Sequence, residues 1–127
     1  MYAGSETESI AAVSPLFAGD YPVENRAETI ASGVGEVADY TVVGRVTASD
    51  KIVPCDLDAT DGSEVPVGVI VFGGDATSAD VGTQMYTSGV FNMDKLVWHT
   101  SFDTEAKKLN AFRSGPLFVK KVGPVVP

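Results

Sequence analysis

Eight consecutive residues, Val65-Pro-Val-Gly-Val-Ile-Val-Phe72, carry neither a charge nor a hydrogen-bonding side chain. The run is short, rich in β-branched residues and closed by Gly73-Gly74-Asp75, so it predicts a strand rather than a helix. Alternate side chains of a strand point to opposite faces. An unbroken apolar run therefore needs cover on both faces, which commits the chain to a β-rich domain with a core on each side of this strand.

The rest of the sequence agrees with that constraint. Tyr40-Thr-Val-Val-Gly-Arg-Val46 is a second β-branched strand, and Ser49-Asp50 turns the chain into Lys51-Ile-Val-Pro54. Thr83 to Phe91 predicts a third strand, with a bulge or tight bend at Ser88-Gly89. Between Val23 and Ile30, residues Val23, Asn25, Ala27 and Thr29 share one face, and Glu24, Arg26, Glu28 and Ile30 the other. Gly (13) and Pro (7) are frequent enough among 127 residues to favour many turns over a helix bundle. The best helical pattern is Phe102 to Arg113, where Phe102, Ala106, Leu109 and Phe112 recur at 3–4 spacing. Thr100, Ser101 and Asp103 are its candidate N-caps, and Gly115-Pro116 stops it. A shorter helical turn starts near Met93, with Leu96, Val97 and Trp98 packing inward. The expected core and helix-packing residues are thus Leu96, Trp98, Phe102, Leu109 and Phe112. The expected fold is mostly β with one or two short helices.

Three segments follow from the pattern. Residues 1–22 read as an extended arm, 23–122 as the folded domain, and 123–127 as a C-terminal tail. The arm begins small and polar, then carries Leu16, Phe17 and Tyr21 between Pro15 and Pro22. Prolines at both ends disfavour a helix there. Large apolar groups in such a segment either fold back on their own domain or dock on a partner, and the sequence leaves both readings open.

Chemistry is sparse. His99 is the only histidine and Cys55 the only cysteine. A lone histidine beside Trp98 reads as a packing or capping residue. Asp56 next to Cys55 raises a thiol pKa, which disfavours a nucleophile. Asp56, Asp58, Asp61, Gly62 and Glu64 form an acidic loop, but Gly62 stands one place late for an EF-hand and no glutamate closes the loop. A turn built on Asp61-Gly62 is the better reading. No catalytic, cofactor-binding or metal-binding residue is assigned.

The net charge is −8, and residues 1–50 hold eight acids against two bases. No basic footprint for nucleic acid emerges, since Lys107, Lys108, Arg113, Lys120 and Lys121 read as a solvated helix end and its surroundings. No apolar run reaches the about 18 residues of a membrane span. A single cysteine fits a soluble protein made in a reducing compartment.

Three stretches in order resemble the lambda-type head decoration proteins of tailed phages. The first is Arg26-Ala-Glu-Thr-Ile-Ala-Ser-Gly33 with Thr41-Val-Val-Gly-Arg-Val-Thr-Ala-Ser49 and Lys51-Ile-Val-Pro54. The second is Ala59-Thr-Asp-Gly-Ser-Glu-Val-Pro-Val-Gly-Val-Ile70, and the third is Tyr86-Thr-Ser-Gly-Val-Phe-Asn92 leading through Leu96-Val-Trp98. Thr104 to Phe112 is similar to the family's last helix, and the resemblance spans about residues 23–122.

The resemblance implies a compact β-clip-like domain with an N-terminal arm, no cofactor and no enzymatic activity. It implies a homotrimer made in the host cytoplasm, bound to the major capsid protein at threefold and quasi-threefold sites on the outer surface of the expanded head. There it would stabilise the virion against packaged DNA. On that reading the arm residues Pro15, Leu16, Phe17, Tyr21, Pro22 and Val23 contact the capsid. The alternative is a β-rich binding module of a phage tail or virion surface.

Overall fold

A computed structural model describes residues 16–19, 22–113 and 115–121. Within these residues eight strands follow one another: β1 (Glu24–Ile30), β2 (Gly35–Val37), β3 (Val42–Arg45), β4 (Ile52–Pro54), β5 (Pro66–Ile70), β6 (Gly74–Ala76), β7 (Val81–Asn92) and β8 (Leu117–Lys120). Among the described residues one 3-10 turn covers Met93–Lys95 and one α-helix, α1, covers Glu105–Leu109. Strands pair in the order β1-β4-β3-β5-β7-β8, and β1 also pairs with β7, so the first five close into a barrel. β2 and β6 form a separate two-stranded sheet.

The apolar run is covered on both faces, as its composition requires. Val69 of β5 enters a core with Val42, Cys55, Phe91, Leu96, Phe102, Phe112 and Leu117. Its neighbour Ile70 enters another core with Ile30, Val37, Val43, Ile52, Ala76 and Met85. β3 divides in the same way, Val42 to the first core and Val43 to the second. Val42 stands directly opposite Val69, so two strands send matched residues to each side. The second core fills the barrel. The first lies on the barrel's outer face, under the segment from Leu96 to Phe112.

Gly44 shows how close the packing on β3 is. A Cβ there would stand 2.0 Å from the Ser63 carbonyl oxygen, so the loop around Asp61-Gly62 lies flat on this strand. Gly62 itself has φ 103°, the left-handed turn expected of it. The Thr83–Phe91 strand extends to twelve residues, with a register shift where Glu24 faces Ser88 but Asn25 faces Tyr86. Thr87 is the extra residue, a bulge beside Ser88-Gly89. Tyr40, expected within β3, instead sits in a turn at φ 65°.

The helical expectations need correction. α1 is five residues long and buries none of them, and Leu109 is 42 % exposed. The spacing from Phe102 to Phe112 predicts one apolar face only if the helix is continuous. It is not: Thr104 caps α1 by accepting from the Lys107 N–H (3.2 Å), and Asn110 ends it by donating from Nδ2 to the Ala106 carbonyl (2.9 Å). Phe102 and Phe112 reach the core from the flanking turns, leaving Leu109 in solvent. Leu96 is buried and Trp98 half-buried, its Nε1–H donating to the Met93 carbonyl at 3.0 Å. Val97 also departs from expectation at 42 % exposed. Its backbone pairs with Thr41 in a parallel bridge, so side chains alternate and Val97 turns out while Leu96 and Trp98 turn in.

The barrel seam is closed mainly by side chains. β1 meets β4 only at Ile30 opposite Ile52, reinforced by the Ala31 N–H donating to the Ile52 carbonyl at 3.0 Å. Arg45 of β3 reaches past β4 and grips Glu28 of β1 with two parallel bonds of 2.9 and 2.8 Å. Arg26 Nε adds a third contact at 2.9 Å, and the Glu28 side chain is only 6 % exposed. The Arg45 hydrogen bonds hold the Glu28 carboxyl below its ordinary value of 4.5, against the opposing effect of burial.

Arg45→Ala leaves that carboxylate buried and half-paired, and should cost about 2–3 kcal/mol of unfolding free energy in a urea titration. The folded carboxyl titrates below the unfolded one, so the unfolded chain binds more protons between the two values. This stabilisation is complete above the unfolded value near 4.5 and is lost as pH falls through the lower folded value. The wild type should therefore lose more stability below pH of about 4.5 than Arg45→Ala does. Parallel pH profiles of the two proteins would contradict the clamp.

Candidate docking site

The last four residues of β7, Gly89 to Asn92, are paired on both sides. β8 runs parallel along one side, Gly89 opposite Leu117 through Asn92 opposite Lys120. The other side is taken by the chain before β1. Phe17 bridges Phe91 in antiparallel fashion, the Ala18 N–H donates to the Val90 carbonyl (2.8 Å), and the Asn92 N–H donates to the Leu16 carbonyl (2.7 Å). Further along, the Ser88 hydroxyl donates to the Pro22 carbonyl at 2.9 Å. Gly89 makes this crowding feasible: its φ is 137°, and a Cβ would press on the Phe91 ring and Val23 at 3.3 and 3.4 Å.

Side chains reinforce the backbone pairing. The Phe17 ring meets Tyr86 edge-on, centroids 5.4 Å apart at 84°, and lies 5.2 Å from the Phe91 ring. Burial raises the Tyr86 hydroxyl pKa, with a smaller push from Tyr40. Leu16 and Phe17 are half-buried against the outer-face core. Of the two readings open for these residues, folding back on their own domain is therefore the observed one. Pro22 and Val23 are exposed, Val23 at 44 %. Pro15 and Tyr21 lie outside the described residues, as does the tail 123–127. The four described residues of the six named from the sequence thus separate into an anchor, Leu16 and Phe17, and an exposed pair, Pro22 and Val23. The anchor's partners, Tyr86 and Phe91, were legible only as strand residues.

The polar residues singled out from the sequence occupy turns. His99 Nδ1 accepts from the Ser101 N–H (3.0 Å) and lies 2.9 Å from the Ser101 hydroxyl oxygen, which in turn accepts from the Leu57 N–H (2.9 Å). Asp56 stands 3.7 Å from the same ring nitrogen. A serine–histidine–aspartate relay uses both ring nitrogens. Here both neighbours crowd one, and the cluster fastens the 56–58 loop to the 99–101 turn. In the acidic loop, Asp56 accepts from Asp58 N–H, Asp61 from Ser63 N–H and Glu64 from Gly62 N–H. Three of the loop's four carboxylates are thereby used in turns. Among the described residues no three of His, Cys, Asp or Glu are placed to hold a metal ion, and no helix is long and apolar enough to cross a membrane. Cys55 is fully buried, and burial, with Asp56 and Glu64 adding to it, pushes its thiol up to about 12.

Residues 7–116 match the family model described as bacteriophage lambda head decoration protein D. The chain belongs to that family. The match extends the resemblance noted from about residue 23 back to residue 7, so it includes the Leu16–Phe17 anchor and part of what precedes it. It stops short of β8. No curated protein sequence matches the chain. Membership makes this a structural protein of the phage head, associated with the virion capsid. The mostly β architecture with one short helix agrees with the fold expected of it.

Two substitutions separate anchor from surface. Phe17→Ala should cost about 2–3 kcal/mol in chemical denaturation, because it removes a half-buried ring and two aromatic contacts. Leu109→Ala should stay within about 0.5 kcal/mol, since its side chain faces solvent. Equal costs for the two would mean that Phe17 is not packed as described.

Proposed function

We propose that this chain is a non-enzymatic cement protein. It binds the major capsid protein as a homotrimer on the outer surface of the expanded head, at threefold and quasi-threefold positions, and resists the pressure of packaged DNA. Family membership over residues 7–116 carries this reading. The anchor at Leu16–Ala18 refines it. The residues that reach the capsid are those before Leu16, starting from a point fixed on β7, together with the exposed Pro22 and Val23. Leu16 and Phe17 hold the arm to its own domain rather than contacting the capsid directly.

A single short arm offers only a small contact area, and small interfaces are weak. Three arms on one trimer recover affinity by raising the effective concentration of the second and third contacts. Added backbone pairing to a capsid strand would give register without needing a charged or catalytic group. The polar clusters around His99 and in the acidic loop are engaged in turns, which is why no reaction is assigned to them.

Deletion of residues 1–15 should leave a folded protein with the Phe17 contacts intact but lower its affinity for expanded heads by at least about 100-fold, the scale of lost multivalency. Co-sedimentation with purified expanded and unexpanded heads measures this. Full-length protein should pellet with expanded heads only. A truncated chain that decorates heads with undiminished affinity would remove the arm from the mechanism. Failure of the full-length chain to bind any head would favour a role elsewhere on the virion.

A further inference from the structure

β5 ends in two unlike apolar features. At its start lies a groove of about 320 Å³ lined by Val65, Pro66, Val67, Ala111, Phe112 and Pro116, among others. No ionisable side chain lines it. Val65 on its rim is 58 % exposed. Just past the strand's other end stands Phe72, 59 % exposed and the most exposed large hydrophobic group among the described residues. It rises from a strip of Ala27, Thr29, Gly82 and Gln84. Of the carboxylates beside it, Glu28 is paired with Arg45 and Arg26, and Asp39 accepts from the Gly73 N–H at 2.6 Å.

We propose that Phe72 of one copy inserts into the Val65–Phe112 groove of the next, and that this head-to-tail contact builds the ring. The inference rests on the homotrimer reading above and gives it an interface. Three observations single out a second copy as the occupant. First, a phenyl ring fits with room to spare, since a cavity of about 150 Å³ is enough to hold benzene. Second, the Phe72 ring cannot reach its own groove. Val65 and Phe72 are seven residues apart along an extended run, about 20 Å at the usual rise per residue. Third, the chain carries a net charge of −8, so two copies repel across most of their surface. The groove and the Phe72 strip are places where uncharged apolar surface can meet without that cost.

Two different patches meeting in this way form a heterologous contact. Such a contact closes into a ring when the rotation between neighbours divides the circle evenly, here in three steps. An aromatic side chain seated in a dry pocket is the usual form of an interface hot spot.

The test uses the full chain. Sedimentation equilibrium on wild type, Phe72→Ser and Val65→Glu reads the trimer directly. Both substituted positions are solvent-exposed, so the fold is retained, and circular dichroism checks it. Each substitution should raise the half-dissociation concentration by at least about 30-fold. A Val65→Cys/Phe72→Cys double variant, oxidised at low concentration, should run as a covalent ring of three on a non-reducing gel. The two new cysteines lie too far apart within one chain to bridge, since bonded Cα atoms are at most about 7 Å apart. Cys55 is buried with its thiol pushed up to about 12 and does not compete.

A trimeric wild type whose variants remain trimeric, with no cross-linked ring, overturns this interface while leaving the trimer reading intact. Variants that stay trimeric but no longer bind expanded heads also overturn it, and assign the surface to the capsid instead. A wild type that stays monomeric at all concentrations overturns both the interface and the trimer.

Discussion

The division of neighbouring residues between two cores governs this fold. Val42 and Val43 on β3, and Val69 and Ile70 on β5, are adjacent in sequence yet belong to different hydrophobic clusters. A strand that is apolar on both faces can be stable only if something covers each face. The barrel interior covers one. The other requires the long excursion from Leu96 to Phe112, and it also draws in Leu16 and Phe17. The placement of the segment before β1 is thus part of the same burial requirement that places β5 in the middle of the molecule.

What could be read from the sequence follows from how local each signal is. The β5 run declares its two-sided burial by composition alone. The bulge region at Ser88-Gly89 and the turn at Asp61-Gly62 are marked by glycine, whose positive φ values bear them out at Gly62 and Gly89. The helix misled because 3–4 spacing records which residues are apolar, not whether the backbone between them is continuous. Thr104 and Asn110 cut it to five residues by local hydrogen bonds, and these side chains compete with a helix as readily as they cap one. The anchor was illegible for a different reason. Phe17 finds Tyr86 and Phe91 some seventy positions away, and nothing near Phe17 specifies them. Arg45 and Glu28 are likewise ordinary strand residues until the seam between β1 and β4 brings them together.

Function divides along the same line. The head-protein character rests on an ordered pattern over residues 7–116, and no single residue within it is diagnostic. The polar residues that would suggest chemistry in isolation, His99, Cys55, Asp56, Asp61 and Glu64, are each absorbed by structure. One ring nitrogen serves a turn, the thiol is sealed in the outer-face core, and the acids bind backbone N–H groups.

The geometry of the anchor has a mechanical meaning. Leu16 to Ala18 lies antiparallel beside β7, and hydrogen bonds between antiparallel strands run across the strand axis. A pull on the chain ahead of Leu16, directed along that axis, loads both backbone bonds and the Phe17 ring at once instead of peeling them one after another. Tension carried by such a tether would reach the twelve-residue β7 in shear, and from there spread into β1, β5 and β8, which all pair with that one strand.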